Sequence, residues 1–263
     1  MLEASRNTVS VIIPNFNYGQ YLSEAIDSVL NQTHQDIEVL VVDDGSTDDS
    51  SSILKSYGTE IRVIYQKNSG QSVARNRGIL ESRGEIVAFL DADDYWEHDK
   101  IQKQLELFGG NRLAVYSSIF VEQNQDQEIV MAEMRGLLLD KFYSRPGFQL
   151  ITGGESSLLL QKSIIAKAGL FNSNLSICAG YDFYRRVAMH TEFDFVAKPL
   201  VHYRRHKKNI SLDKARYRHE LGIIQSIVRS ELSIGSYTKY KVLNTKNICK
   251  DYLKTRLRMG SRG

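Results

Sequence analysis

The sequence predicts an α/β fold: a mostly parallel, doubly wound (Rossmann-like) sheet, followed by a smaller region and a helical C-terminal tail. Three observations predict it. Apolar runs alternate with helical patterns through the first hundred residues, joined by short loops, which is the signature of a parallel sheet covered by helices. The runs at 37–43 and 85–91 are almost continuously apolar, as strands buried on both faces are. Polar and acidic residues cluster where these runs end, at the sheet edge where such folds bind ligands.

The elements follow in order. TVSVIIP (8–14) is a β-rich run, and Leu22, Ala25, Ile26, Val29 and Leu30 then share one helical face. IEVLVVD (37–43) is the second strand. Ser46 and Asp49 resemble a capping box opening a short helix over 46–57. IRVIYQ (61–66) reads as strand, 71–82 as helix bracketed by Gly70 and Gly84, and EIVAFLD (85–91) as a buried strand. Beyond 97 the pattern loosens. Ile101, Leu105 and Phe108 mark a helix, and 112–122 and 127–133 two strands. SSLLLQ (156–161) precedes a short helix, KSIIAKAG. DFYRRVAMH (182–190) reads as helix and PLVHYRRH (199–206) as a last strand. Two basic helices follow from 212, the first with an apolar stripe at Leu221, Ile224, Val228 and Leu232.

The 263 residues, 42% of them hydrophobic, suffice for one large core or two small ones. Three prolines and the absence of any repetitive tract argue against long linkers and disorder. No run approaches the ~18–20 apolar residues of a membrane-spanning helix. MLEASRNT has no apolar signal core, and Cys178 and Cys249 are too few for a disulfide framework or thiolate metal site. A reducing cytoplasm is the expected location. The net charge of +3 divides sharply. Residues 204–263 carry 16 Lys and Arg against four acids, whereas residues 1–203 carry 18 against 27. An acidic body with a basic tail implies two surfaces.

Three clusters end the predicted strands: Pro14-Asn15-Phe16-Asn17, Asp43-Asp44-Gly45-Ser46 and Asp91-Ala92-Asp93-Asp94. In a doubly wound sheet they converge on one rim. Three carboxylates within four residues repel unless a cation or solvent relieves them, and oxygen-only ligands select Mg²⁺ or Mn²⁺. The competing interpretation is a solvated acidic turn. There is no GxGxxG after the first strand and no GxxxxGK[ST], so a dinucleotide or P-loop site lacks its phosphate-binding turn.

The ordered set VSVIIPNFN, VVDDGSTDDS, NSGQSVARNRGI, GEIVAFLDADDYW and FVAKPLVHYRRH, spanning about 8–211, closely resembles the inverting family-2 glycosyltransferases of GT-A fold. The resemblance implies a glycosyltransferase domain over 1–211, with a nucleotide-binding half (1–110) and an acceptor half (111–211), and a basic tail over 212–263. It implies transfer of a sugar from a UDP- or dTDP-sugar to a saccharide or lipid-linked acceptor, in synthesis of cell-surface polysaccharide or glycolipid. Pro14 and Phe16 would line the base pocket, with Phe16 stacking. Asp44 would accept the imide N–H of uracil or thymine, a contact that rejects cytosine; its alternative is capping of the 46–57 helix. Asp43 would bind ribose or hold the loop. Arg75 would face the pyrophosphate or base, with a solvated helix charge as its alternative. Asp91 would hold ribose or a metal-bound water, with Ala92 beside it in the nucleotide-sugar loop, and Asp93 would ligate the ion directly. Asp94 would fix the loop. His206 resembles a C-terminal metal- or phosphate-contacting histidine, or is a solvated surface residue.

One departure stands out. Before the DFYRRV helix the family carries an acidic pair whose second member is the base, and here Ala179-Gly180 occupies it. Asp182 is the expected substitute, with its alternative a helix N-terminal carboxylate stabilised by the dipole. A different acid such as Glu155, or impaired catalysis in a nucleotide-sugar-binding or scaffold protein, is the remaining possibility. The basic tail reads by default as a solvated helical face, and alternatively as peripheral contact with an anionic membrane, where each basic residue contributes about 1 kcal/mol. No nucleic-acid recognition motif accompanies it.

Overall fold

The computed structural model describes residues 8–123, 126–132, 136, 138–144 and 151–231. Among them nine strands form one sheet: β1 (Val9–Asn15), β2 (Ile37–Asp43), β3 (Arg62–Tyr65), β4 (Ile86–Phe89), β5 (Tyr95–Trp96), β6 (Arg112–Gln123), β7 (Asp126–Val130), β8 (Leu159–Gln161) and β9 (Glu192–Arg205). The helices are α1 (Gly19–Leu30), α2 (Ser50–Ser56), α3 (Gln71–Glu81), α4 (Lys100–Leu105), α5 (Leu139–Ser144), α6 (Lys162–Ala168), α7 (Ala179–Val187) and α8 (Lys214–Glu231). Strand order is β3-β2-β1-β4-β8-β6-β9-β5, with β7 paired to β6.

The first four strands are all parallel, as crossover helices require. The second half is mixed, because β8 runs antiparallel to both β4 and β6 while β6 and β9 are parallel. Alternation along β1 builds the doubly wound core. Ile12 points into one cluster with Phe89, Ile164 and Phe183, while Val11 and Ile13 join Leu22, Ile26 and Leu54 on the other face. Gly78 lets α3 lie close on β1, since a Cβ there would collide with the Ile12 side chain.

Several boundaries differ from the sequence reading. The helix expected over 46–57 starts at Ser50, and Asp48 rather than Ser46 satisfies its end by accepting the Ser50 amide at 3.1 Å. Helix α7 opens at Ala179, before the expected 182. β9 begins at Glu192 instead of 199, because a bulge carries it past Pro199: Ser117 pairs with Val196 and Ser118 with Pro199. β5 and α5 carried too short a pattern to be expected. The proposed division at 211/212 falls just before a helix that joins the main core, for Ile224 and Val228 of α8 pack in the cluster containing Phe183 and Val187. Leu221 is half-buried, and Leu232 and the second expected basic helix lie outside the described residues.

Candidate active site

The ends of β1, β2 and β4 form the rim. Ile12 O accepts the Leu90 amide on the β4 side at 3.0 Å. Alternation turns Pro14, which has no N–H to donate, to that same side, where β4 has ended. Pro14 is buried, so the open residue of this loop is Phe16, 42% exposed. Asn17 adopts φ 59° and pins the first loop to the second: its Oδ1 accepts the Thr47 amide at 2.7 Å, and its own amide donates to Ser46 Oγ at 3.0 Å.

Asp43 holds this loop pair. Its Oδ2 accepts Asn15 Nδ2 at 2.8 Å and its Oδ1 the Ser46 amide at 2.9 Å. Asp44 reaches the other way, to the segment leading into α3. Its Oδ1 accepts Gln66 Nε2 at 2.7 Å and the Ser69 amide at 2.8 Å, and its Oδ2 accepts the Gly70 amide at 2.8 Å. It therefore does not cap the helix after its own loop. A carboxylate offers about four acceptor positions, so three donors leave Asp44 one on Oδ2.

After β4, one oxygen from each of Asp91, Asp93 and Asp94 falls within 4.8 Å of the others. Their environments divide the labour. Asp94, the most buried of the three, is turned to the loop, accepting Ser156 Oγ at 2.6 Å and the Arg204 amide at 3.1 Å. Asp91 is met from below by Arg75 Nη2 at 2.6 Å and by Gln71 Nε2 at 3.1 Å. Asp93 faces His206 Nε2 at 2.9 Å and Asn209 Nδ2 at 3.2 Å. Burial, with the Asp91 charge behind it, pushes the Asp93 carboxyl up to about 6 despite the His206 contact. Burial likewise raises Asp94, with Asp93 and Asp91 adding to it. Ala92 between them is packed into the core, leaving only its backbone to face a ligand. Asp91 and Asp93 each keep acceptor positions beyond the two donors they meet, and clustered carboxylate oxygens of this kind match what Mg²⁺ or Mn²⁺ takes.

His206 is held rather than solvated. Its amide donates to Asn209 Oδ1 at 2.5 Å, and the Tyr21 ring stacks on it at 5.2 Å, with Tyr18 at 5.7 Å. Burial, followed by Asp93 and Asp91, raises the Tyr18 phenol well above its usual range. A cleft of about 670 Å³ opens beside His206, bordered by Tyr21, Arg204, Arg205 and Glu122. The other histidine of HYRRH is structural: His202 lies between Glu122 (2.8 Å) and Glu97 (2.9 Å).

Arg75, expected to face the pyrophosphate or base, is instead 1% exposed beneath the rim, bridging Asp91 and Glu155, the latter at 3.3 Å. Burial alone would lower its pKa, but Glu155 and Asp91 raise it. Asp182 does not fit the role of base. It is 3% exposed in the first turn of α7, with Oδ1 on Arg185 Nη2 at 3.1 Å and Oδ2 on Arg186 Nε at 3.0 Å. A carboxylate so spent has nothing turned toward an acceptor. Tyr18, Tyr21, Gln71 and Asn209 were not anticipated. Asn209 had a signal, standing three residues after His206 in a polar turn.

Comparison with known proteins bears on the family and the fold. Residues 10–167 match the model of the family described as glycosyl transferase family 2. An uncharacterized glycosyltransferase of Nostoc is 44% identical over 133 residues, covering 49% of this chain and 41% of its own length. The putative teichuronic acid biosynthesis glycosyltransferase TuaG of Bacillus subtilis is 39% identical over 142 residues, covering 52% and 53%. The chain thus spans about half the length of these curated relatives. Among solved structures, S. aureus TarS 1–349 in complex with UDP-GlcNAc superposes with a TM-score of 0.73 at 17% identity, over 89% of this chain and 70% of that one. A mannosyltransferase from Pyrobaculum calidifontis, in complex with GDP-Man and Mn²⁺, gives 0.65 at 18%, over 88% and 66%. At these identities the likeness establishes the GT-A fold. Among the described residues no helix is long and apolar enough to cross a membrane.

Proposed function

This chain belongs to glycosyl transferase family 2, and from that premise we propose that it transfers a sugar, with inversion, from a UDP- or dTDP-sugar to a hydroxyl of a saccharide or lipid-linked acceptor in polysaccharide synthesis. The carrying observation is the rim itself: Asp44 at the end of β2, with Asp91, Asp93 and His206 opposite it. Phe16 offers a ring for the base, and the remaining acceptor position on Asp44 suits a pyrimidine imide N–H. Asp93 and His206, with Asp91 behind them, would hold Mg²⁺ or Mn²⁺. Such an ion, when bound, neutralises charge developing on the departing diphosphate. Arg75 keeps Asp91 aimed at the rim, and the Tyr18 and Tyr21 rings hold the His206 imidazole in place. Positioning a hydroxyl in line with the anomeric carbon supplies the rest.

Calorimetry with UDP and dTDP in the presence of Mn²⁺ tests this reading. Binding is expected in the wild type and lost in Asp93→Ala. Absence of binding, or its survival in Asp93→Ala, overturns the proposal. The named ligands of TarS and of the Pyrobaculum enzyme are nucleotide-sugars, and the name of TuaG places that relative in teichuronic acid biosynthesis; both support the same class of chemistry here. The second reading is a nucleotide-sugar-binding protein without turnover, favoured by Ala179-Gly180 where an acid would stand. For the basic tail we propose peripheral contact with the anionic inner face of the cell membrane, supported by the charge beyond 204. Salt-sensitive sedimentation with phosphatidylglycerol vesicles is its test, and failure to sediment at low salt counts against it.

A further inference from the structure

Gly180 and Glu155 share one space. A Cβ built at Gly180 would lie 2.7 Å from Glu155 Oε1 and 3.2 Å from Tyr184 Cε2. No side chain fits at 180 while Glu155 is where it is, so the carboxylate that the helix lacks is delivered to the same place from another element. That element is a 3-10 turn over Gly154–Ser157, entered through Gly153 at φ 72°. The turn is anchored at the rim on both sides of Glu155's neighbour: Ser156 Oγ donates to Asp94 at 2.6 Å, and accepts the Asp91 amide at 3.0 Å. Glu155 is therefore fixed relative to the metal-binding loop rather than carried on a free segment.

The surroundings favour this carboxylate over the others nearby. Asp43, Asp44, Asp94 and Asp182 each accept two or more hydrogen bonds. Asp91 and Asp93 form the cation site. Glu155 meets Arg75 at a looser 3.3 Å and has the Tyr184 side chain beside it, and its side chain remains 14% exposed. Arg75 in turn ties it to Asp91.

We propose that Glu155 is the general base of this chain, its carboxylate standing in the volume that Gly180 leaves open. The inference rests on the sugar-transfer reading above. The acceptor hydroxyl gives its proton to the Glu155 carboxylate while its oxygen forms a bond to the anomeric carbon. The bond from that carbon to the β-phosphate oxygen breaks, and its electron pair leaves on the nucleoside diphosphate.

Two variants and two readouts test it. UDP affinity is measured by calorimetry with Mn²⁺, and turnover as nucleoside diphosphate released from UDP- and dTDP-hexoses with water as acceptor. Glu155→Gln, nearly isosteric, should lower release by roughly 10²–10⁴-fold with UDP affinity within about threefold, roughly 0.65 kcal/mol. In a Glu155→Ala background, Gly180→Asp should restore release by about tenfold or more, because it returns a carboxylate to the same space. Release unchanged in Glu155→Gln overturns the assignment. So does a parallel loss of UDP affinity and release without rescue by Gly180→Asp, which would make Glu155 a positioning residue for Arg75. A wild type that binds UDP but releases none from any donor also overturns it, in favour of the binding-protein reading. A wild type that binds neither UDP nor dTDP fails at the earlier step, the donor reading itself.

Discussion

Glu220 Oε2 accepts the Cys178 amide at 2.8 Å, and Glu220 Oε1 accepts both the Ser176 amide (3.0 Å) and Ser176 Oγ (2.6 Å). A buried carboxylate on α8 thereby receives the donors at the start of α7, the helix that carries Gly180. Charge-assisted bonds of this kind are about twice as strong as neutral ones. Glu220→Ala should cost about 2–4 kcal/mol in urea unfolding, and a chain ended at residue 211 should fail to give a cooperative transition. A cost below about 0.5 kcal/mol would mean that α7 holds its own start.

Asp93 sets a pH-dependent stability in the metal-free protein. Its carboxyl is raised to about 6 in the folded state, so the fold binds that proton more tightly than the unfolded chain does. The associated stability is present below the ordinary carboxylate range and is lost as pH rises through about 6. Asp93→Asn, which resembles the protonated form, should be more stable than the wild type at pH 8 by up to about 3 kcal/mol, the difference shrinking to about 1 kcal/mol at pH 4.5. Melting temperatures at the two pH values check this, and added Mn²⁺ should raise only the wild type.

Lys100 is wholly buried, with Nζ 2.7 Å from Gln104 Oε1 and 3.9 Å above the Trp96 ring. Burial pushes its ammonium well below the usual range. The unfolded chain therefore binds this proton more readily, and the fold gains stability as pH rises toward the ordinary lysine range. Lys100→Met keeps the volume and removes the charge, so it should stabilise by about 1–2 kcal/mol at pH 7. The gain should shrink at pH 10. Destabilisation by Lys100→Met at pH 7 would show that the contact with Trp96 outweighs desolvation.

Gly78→Ala should destabilise by about 1–3 kcal/mol through overpacking against Ile12, even though alanine is the better helix former. Combining it with Ile12→Ala should cost less than the two single changes together. Additive costs in denaturant unfolding would show that α3 and β1 separate freely.

The parallel half of the fold and the rim were legible because their signals are local. A strand run, its acidic end and the following helix sit within about thirty residues, and Asp43-Asp44 and Asp91–Asp94 mark the edge directly. The mixed half was less legible because β8 and β9 take their direction from pairing with distant strands. The buried, paired setting of Asp182 had a signal in the sequence: arginines three and four residues on, at 185 and 186, are placed to neutralise it on a helix. Glu155 could be named only as one acid among several. Its position depends on a turn meeting α3 and α7, which no local pattern encodes.

The two sides of the carboxylate rim also differ in how far along the chain their partners lie. Asp44 closes on Gln66, Ser69 and Gly70 across 22 to 26 residues, whereas Asp93 waits for His206 across 113. Loop closure over the longer span costs more entropy and delays assembly. The Asp44 contacts are therefore local to the first half of the fold, whereas the Asp93–His206 contact joins its two halves. The Asp93–His206 contact is thus the long-range closure of the rim, and it depends on β9 being in place just before His206.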